Sequence, residues 1–387
     1  MKSCRSPMVN HLYASHDGLS IPARAEIAPG CRPASVTRER HASSAVARSG
    51  TPRLSEGAPG RRELSGVRAA SISPNSSRPL AGGAPAGWNT MSRMNTIAAD
   101  QPDPQWVLTL SCIDGPGIVH AISGAVVAAG GNIAESQQFA SADTGRFFMR
   151  LQVEAVAQPE TFETRFESAV SPVTQRYNMT WRLDRVGRPV RTLVLASTAT
   201  HCVNDLLYRQ RGGQLPIEVP LILSNHETVR DIAEFYGVPF EHRAIANPAD
   251  RAAFEARVLE AVEEHDIELV VLARYMQILS PELCAALEGR AINIHHSFLP
   301  GFKGANPYKQ AHQRGVKLIG ATAHFVTTDL DEGPIIEQDV ARVDHSYSPR
   351  ELVQLGQDEE ARVLRRAVNW FAENRVLVDG DRTIIFR

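Results

Sequence analysis

The sequence predicts an α/β protein with two folded units, an N-terminal ferredoxin-like domain over residues 105–186 and a mostly parallel, doubly wound sheet domain over residues 190–387. In the first unit the strand and helix signals follow the order β-α-β-β-α-β, which defines the ferredoxin-like arrangement. In the second unit short apolar runs alternate with helical stretches, a pattern typical of a parallel sheet covered on both faces. Residues 1–104 are rich in Gly, Pro, Ser and Arg without apolar periodicity, so we expect them to be disordered.

This N-terminal extension differs from the rest of the chain in charge. Residues 1–100 contain 13 Lys and Arg against 6 Asp and Glu, whereas the whole chain has a formal net charge of −2. A basic, acid-poor arm is compatible with nucleic-acid contact or with organelle targeting. Because Met91 and Met94 lie just before the first strand-like run, we favour a third interpretation, an extension translated from too early a start. The charge of the whole chain argues against a nucleic-acid-binding protein.

Cysteine spacing and hydropathy narrow the class of protein further. The five cysteines, at positions 4, 31, 112, 202 and 284, have no CxxC spacing, so we expect neither a disulfide framework nor a metal site. A reducing cytoplasm is the simplest compartment for them. The sequence contains no apolar run of membrane length, so we expect no membrane partner.

The first unit starts with an alternating strand, WVLTLSCID, that stops at a Gly-Pro-Gly turn. In the helix that follows, apolar residues recur every three to four positions; Asp114 is placed to cap its start and Gly130 to end it. Two strands then turn at residues 143–145, and a helix over residues 160–177 and a strand over residues 178–186 complete the unit.

This order, with an acidic residue and glycines after the first strand, resembles an ACT domain. The resemblance implies a regulatory unit that binds a small effector, often an amino acid, at the loop before its first helix. On this resemblance we expect Asp114, Gly117 and Asn132 to contact an effector, although capping of the helix explains Asp114 without a ligand. ACT domains usually pair their sheets side by side, so we also expect a homo-oligomer, a dimer or a tetramer.

Five short apolar runs predict the parallel strands of the second unit: TLVLAS, VPLILSN, PFEHRAI, IELVVLA and AINIHHS. A strand pair, TAHFVT and GPIIEQDVARV, a helix over residues 349–375 and a closing hairpin that turns at Asp379 and Gly380 follow. Ligands of such sheets bind at the carboxyl ends of the strands. Because the HHS stretch ends the fifth run, its position predicts a site there.

Three polar residues near this strand end have the chemistry for acyl transfer. Asn293 and His295 are two positions apart on one strand, so their side chains share a face, and Asp331 lies in a loop ahead of a Gly-Pro pair. An amide and an imidazolium can stabilise an oxyanion while a carboxylate deprotonates the nucleophile. Taken singly, each residue is explained as well by loop hydrogen bonds. We expect His296 to face the other side and, with Ser297, to shape the loop, because adjacent strand residues point apart.

Two stretches, NIHHSFLPGFKGANPY and HFVTTDLDEGPII, resemble the folate-dependent formyltransferase superfamily, and the resemblance extends from about residue 192 to 344. It implies a formyltransferase-like fold for the second unit. It also implies that Asn293, His295 and Asp331 are the catalytic residues.

The same resemblance implies a folate site. The stretch LARYMQILSP is similar to the pterin-binding loop of the superfamily, in which the backbone around Met276, Gln277 and Leu279 would contact the folate ring. Lys303 is placed to meet the glutamate tail of the folate, although a solvated loop lysine explains it equally well. No cofactor is implied, since 10-formyltetrahydrofolate is the substrate.

The acceptor of the formyl group is indicated by a missing loop. Superfamily members that formylate glycinamide ribonucleotide end their first strand in a Gly- and Ser-rich phosphate loop. Here the corresponding stretch, LVLASTATHCVNDLL, contains no glycine, and His201 and Cys202 stand where the anion would approach. The sequence therefore resembles the deformylase branch of the superfamily, which hands the formyl group to water and releases formate and tetrahydrofolate.

Two other functions stay open at this point. One is a formyltransferase that uses an unidentified amine acceptor, although the segment after Arg342 is short for a tRNA-binding domain. The other is an inactive folate-binding sensor of the ACT type, which would have no chemical need for Asn293, His295 and Asp331 together.

Overall fold

The computed structural model of the protein describes residues 104–156, 158–299 and 307–387. The N-terminal extension up to residue 103, with Met91 and Met94, lies outside the described residues, and so does Lys303. Within the described ranges, no helix combines the length and the apolar character that crossing a membrane requires.

The N-terminal unit is a four-stranded antiparallel sheet with two helices on one face, in the strand order β2-β3-β1-β4. Its elements are β1 (Gln105–Ile113), α1 (Ile118–Ala128), β2 (Gly131–Ser141), β3 (Arg146–Ala155), α2 (Phe162–Tyr177) and β4 (Thr180–Arg185). Alternate residues of the central strands, such as Leu108 and Leu151, pack against Ile122 and Phe166 of the helices, and all four side chains are fully buried. The predicted ferredoxin-like order is therefore confirmed.

The start of α1 differs from the prediction, because Asp114 does not cap this helix. Gly117 occupies the N-cap position with a φ of 87°, and no side chain caps the first turn. A left-handed φ favours glycine, and a Cβ at Gly117 would come within 3.0 Å of the Tyr177 hydroxyl. Asp114 is exposed, and its backbone N–H donates to the Gly145 carbonyl at 2.9 Å.

The second unit is a seven-stranded sheet in the order β11-β10-β9-β8-β5-β6-β7. Its strands are β5 (Val190–Ala196), β6 (Ile217–Ser224), β7 (Phe240–His242), β8 (Leu269–Ala273), β9 (Ala291–His295), β10 (Leu318–Phe325) and β11 (Ile335–Arg342), and a hairpin of β12 (Val376–Asp379) and β13 (Arg382–Ile385) follows. Strands β5 to β9 pair in parallel, and β10 runs antiparallel to both of its neighbours. The predicted mostly parallel sheet is confirmed.

Helices cover both faces of this sheet. They are α3 (His201–Arg211), α4 (Arg230–Tyr236), α5 (Pro248–Glu264), α6 (Pro281–Ala286), α7 (Pro307–Arg314) and α8 (Pro349–Ala372). One face packs Val194 and Ile292 against α3 and α8. The other packs Leu193 and Val270 against α5 and α6. Strand alternation thus divides the sheet into an α3/α8 side and an α5/α6 side, and the carboxyl ends of β5, β8 and β9 open between them.

Candidate active site

The placement of Asn293 and His295 follows from the alternation along β9. Ile292 and Ile294 pack into the core on the α3/α8 side, so the residues between and after them face the α5/α6 side. Asn293 and His295 therefore share a face at the carboxyl end of the strand, as the sequence predicts.

Asp331 reaches the same place through the tight turn between β10 and β11. Its φ of 59° is left-handed, a conformation that costs a residue with a side chain about 1 kcal/mol or more. Two residues on, a Cβ at Gly333 would lie 1.8 Å from the Phe325 carbonyl oxygen, so only glycine lets the turn fold back onto β10. This turn sets Asp331 Oδ1 3.2 Å from His295 Nδ1.

The contact with His295 favours the ionised form of the Asp331 carboxyl. The hydrogen bond from His295 lowers the pKa of the Asp331 carboxyl, burial opposes it, and the nearby imidazoles contribute to the lowering. Asp331 is therefore ionised at neutral pH. The Nε2 atom of His295 is buried and has no hydrogen-bond partner among the described residues. Because such an atom costs free energy when unpaired, a ligand in the cavity would restore its bond.

His324 joins these residues and was not singled out from the sequence. It lies on β10 directly opposite Asn293, with its Nε2 3.3 Å from Asn293 Nδ2 and 3.8 Å from Asp331 Oδ1. Its Nδ1 is 2.8 Å from the Phe325 carbonyl oxygen and must donate there, so Nε2 of the neutral ring accepts from the Asn293 amide. Burial lowers the pKa of His324, which keeps the ring neutral.

A cavity of about 750 Å³ encloses these polar groups, within the usual size range of small-molecule sites. Its lining includes the three predicted catalytic residues, His324, and the three predicted folate-contacting residues Met276, Gln277 and Leu279. The Met276 N–H donates to Ser197 Oγ at 3.1 Å, and Ser197 donates to Asn225 at 2.6 Å. The end of β5 thus holds the loop that follows β8.

The predicted effector residues are not all brought together. Asp114 and Gly117 lie in the loop after β1. Asn132, however, pairs across the sheet with Glu154, which also pairs with the first residue of β1. Asn132 is therefore at the opposite end of the sheet, and the three residues do not form one site within a single chain.

His296 lies closer to His295 than the alternation of strand residues predicts. The strand ends at His295, and the ring of His296 stacks on that of His295 with centroids 5.0 Å apart and an interplanar angle of 20°. Both rings line the cavity, so the two do not point to separate faces. Ser297 has the expected place in the loop, where its carbonyl accepts from Thr322 Oγ1 at 2.9 Å.

His201 and Glu360 line the cavity and form, with the buried Cys202, the one group among the described residues that has metal-ligand spacing. Ligand atoms of His201, Cys202 and Glu360 lie within 4.8 Å of one another. Arg274 Nε is already 3.1 Å from the Glu360 carboxylate, and burial raises the pKa of the Cys202 thiol well above its ordinary value. A guanidinium on the carboxylate and a protonated thiol both disfavour a bound cation.

Comparisons with known proteins agree with this architecture. Residues 190–368 match the family described as formyl transferase. The chain is 46% identical over 281 residues to the formyltetrahydrofolate deformylase of Corynebacterium sp. strain P-1, which covers 73% of this chain and 98% of that relative. It is also similar to two crystal structures of formyltetrahydrofolate deformylases. The structure from Burkholderia mallei has a TM-score of 0.69 at 47% identity, and the match covers 73% of this chain and 100% of the Burkholderia chain. The structure from Pseudomonas syringae has a TM-score of 0.71 at 40% identity, and the match covers 75% of this chain and 96% of the Pseudomonas chain.

Proposed function

The chain belongs to the formyltetrahydrofolate deformylase family, and from this premise we propose that it hydrolyses 10-formyltetrahydrofolate to formate and tetrahydrofolate. The observation that carries the proposal is the contact of His295 with Asp331 in the cavity, with the far nitrogen of the His295 ring unpaired among the described residues. An ionised carboxylate beside an imidazole with one unused nitrogen has the groups that hydrolysis of a formamide requires.

The polar side chains divide the chemistry among them. Asp331 accepts a proton from the attacking water, since its lowered pKa keeps it ionised. His295 donates its Nδ1–H to Asp331 and, as an imidazolium, its Nε2–H to the oxyanion of the tetrahedral intermediate. Asn293 donates one amide N–H to His324 and can donate the second to the formyl oxygen.

The reaction balances with water as the only co-substrate. The water oxygen bonds to the formyl carbon, and the bond from that carbon to N10 of the folate then breaks. The proton that Asp331 took from water passes to N10 as the amine leaves. The second proton of the water is released when formic acid ionises, so the products are formate, a proton and tetrahydrofolate, and no redox step is involved.

The folate would bind on the α5/α6 side of the cavity. Leu279 packs there against an apolar core cluster, and the loop around it exposes the side chains of Met276 and Ile278, which are 55% and 58% exposed. A pterin ring laid on this loop would bury those apolar side chains, which is favourable. Met276, Gln277 and Leu279 are therefore the folate contacts that we propose.

For the N-terminal unit we propose an effector site at the loop that contains Asp114 and Gly117, together with a dimer or tetramer that joins copies of the chain. Both residues are exposed, so a ligand can reach them. Thermal denaturation in the presence of each common amino acid, and mass measurement by light scattering, test the two parts. No shift with any amino acid would contradict the effector site, and a monomer would contradict the oligomer.

The decisive test of the activity uses no amine. Purified full-length protein is incubated with 10-formyltetrahydrofolate, and formate and tetrahydrofolate are both measured. Equal amounts of the two products are expected. Folate binding without release of formate would contradict hydrolysis, and addition of candidate amines would then distinguish a formyltransferase from a sensor.

A further inference from the structure

The cavity has two unlike sides around the reacting groups. On the α5/α6 side Tyr275, Leu279 and Cys284 belong to an apolar core cluster. On the α3/α8 side three helices each contribute a polar lining residue: His201 of α3, Tyr308 of α7 and Glu360 of α8. The reaction as proposed above uses the first side for the folate and gives the second no task.

Glu360 is the centre of this polar side. Its side chain is 1% exposed, and its Oε2 lies 2.8 Å from His201 Nε2 and 3.1 Å from Arg274 Nε. Its Oε1 accepts from the Tyr308 hydroxyl at 2.5 Å. A Cβ at Gly356, one turn earlier in α8, would lie 2.2 Å from that hydroxyl, so the glycine makes the approach of Tyr308 possible. We call Glu360, Arg274, His201 and Tyr308 the Glu360 cluster.

The carboxylate of the cluster stays ionised although it is buried. Burial by itself would raise the pKa of Glu360, but the hydrogen bond from His201, the charge of Arg274 and the Tyr308 hydroxyl together lower it. Burial and the neighbouring carboxylate raise the pKa of Tyr308 in turn, so the phenol keeps its proton and donates it. The cluster is therefore an anion surrounded by donors.

These donors are the kind that proteins use to bind external anions. Arginine, histidine and tyrosine bind phosphate and carboxylate groups through charge-assisted hydrogen bonds. His201 is also the first residue of α3, which directly follows β5, so the positive end of this helix faces the same point. Here the anion comes from α8 of the chain itself.

The cluster reaches the reacting groups through Arg274. The guanidinium of Arg274 contacts Nδ1 of His296, and because a guanidinium only donates, that nitrogen accepts. The proton of the neutral His296 ring is then on Nε2. Its ring stacks on His295, so displacement of Arg274 would disturb the imidazole that binds the oxyanion.

We propose that Glu360 is an internal anion that fills the place where an anionic formyl acceptor would bind, and thereby leaves water as the group that takes the formyl. This inference rests on the proposed deformylase function and names the residue that determines its acceptor. It treats Glu360 as a specificity-determining and positioning residue, which reaches His295 through Arg274 and His296.

The test removes the internal anion and offers an external one. In Glu360→Ala the Arg274 guanidinium and the His201 imidazole lose their partner, so the vacated space should bind millimolar acetate or inorganic phosphate, measured by calorimetry. Deformylase kcat/KM should fall about 10²-fold because the reacting groups are misplaced, and acetate should restore part of it. Glu359→Ala is the matched control, because Glu359 is the adjacent buried carboxylate of α8 and pairs with Arg362, which is 38% exposed.

The outcomes separate this inference from the proposed function. The internal-anion proposal is supported if Glu360→Ala binds the anion and neither the wild type nor Glu359→Ala does. It is overturned if a folded Glu360→Ala binds no anion, or if all three proteins bind it equally. If Glu360→Ala does not fold, Glu360→Gln replaces it as the test. A folded Glu360→Gln enzyme with lowered kcat/KM that acetate does not restore supports the need for a charge at this position. A Glu360→Gln enzyme with wild-type kcat/KM overturns the proposal. A wild type that releases no formate refutes the proposed function, and the calorimetry still tests the internal anion.

Discussion

Two of the carboxylates that line the cavity, Glu360 and Asp331, differ in how their hydrogen-bonding capacity is used. Glu360 is 1% exposed, accepts hydrogen bonds from His201 and Tyr308, and forms an ion pair with Arg274. Asp331 is 15% exposed, contacts His295, and stands in a turn with a left-handed φ. Glu360 lies on a helix, and its carboxylate is occupied by partners within the chain. Asp331 is partly open and rests on a strained turn.

We interpret the difference as that between a group that holds a structure and a group that we propose to react. A buried charge is tolerated when donors surround it, and this arrangement leaves Glu360 no position for a substrate. Asp331 and His295 keep unused capacity, including the unpaired Nε2 of His295 within the described residues. We therefore expect changes at Asp331 to affect mainly turnover and changes at Glu360 to affect stability as well.

The largest expected effect is that of Asp331→Asn on turnover. An amide cannot accept the proton of water, so kcat should fall about 10³-fold, whereas the free energy of unfolding should change by only about 1 kcal/mol. Formate release and urea unfolding measure the two quantities. Asp344→Asn, at an exposed carboxylate that bonds Ser346, is the control and should leave both near wild type. Retention of a tenth of the wild-type kcat in Asp331→Asn would rule out Asp331 as the base.

In contrast with Asp331→Asn, Glu360→Gln should have a large effect on the free energy of unfolding. It leaves the guanidinium of Arg274 buried without its counter-charge, which should cost about 3 kcal/mol of unfolding free energy. Urea unfolding gives the loss of unfolding free energy in Glu360→Gln, at the cluster. The same measurement on Glu359→Gln gives the loss at a pair with an exposed arginine, Arg362. Equal losses in the two variants would show that the cluster has no special place in the fold.

Gly333→Ala tests whether the strained turn holds Asp331 in position. The new Cβ collides with the Phe325 carbonyl, so the turn must move away from β10, and a shift of this kind costs about 10²-fold in kcat/KM. Gly115→Ala, where a Cβ meets no atom within 4 Å, is the matched control. Wild-type kcat/KM in Gly333→Ala would mean that the position of Asp331 does not depend on this turn.

The smallest effect concerns acid pH. The folded-state pKa values of Asp331 and Glu360 are both lowered. Each carboxylate therefore stabilises the fold fully above its ordinary value, 3.8 for Asp331 and 4.5 for Glu360, and the contribution is lost as pH falls through the lowered pKa. Unfolding free energies measured from pH 6 down to acid denaturation should fall less steeply in Asp331→Asn and in Glu360→Gln. Slopes identical to wild type would contradict the lowered pKa values.

Some of the site could be predicted from the sequence, because it depends on neighbouring residues. Side chains two apart on a strand share a face, so spacing alone places Asn293 beside His295. A Gly-Pro pair marks a tight turn, and the family resemblance points to Asp331 within it. The order of strands and helices in both units depends on the same local periodicities of apolar residues.

Other parts were decided by the tertiary structure. His324 meets Asn293 only through the register of β10 against β9, and Glu360 meets His201 only because α8 packs beside α3 on one face of the sheet. The end of β9 brings His296 onto His295, and sheet pairing moves Asn132 away from Asp114. The physical reason is the range of the interactions. Alternation, turns and capping signals act over a few residues, whereas register and helix packing join segments far apart in the chain, and no local pattern specifies which of them meet.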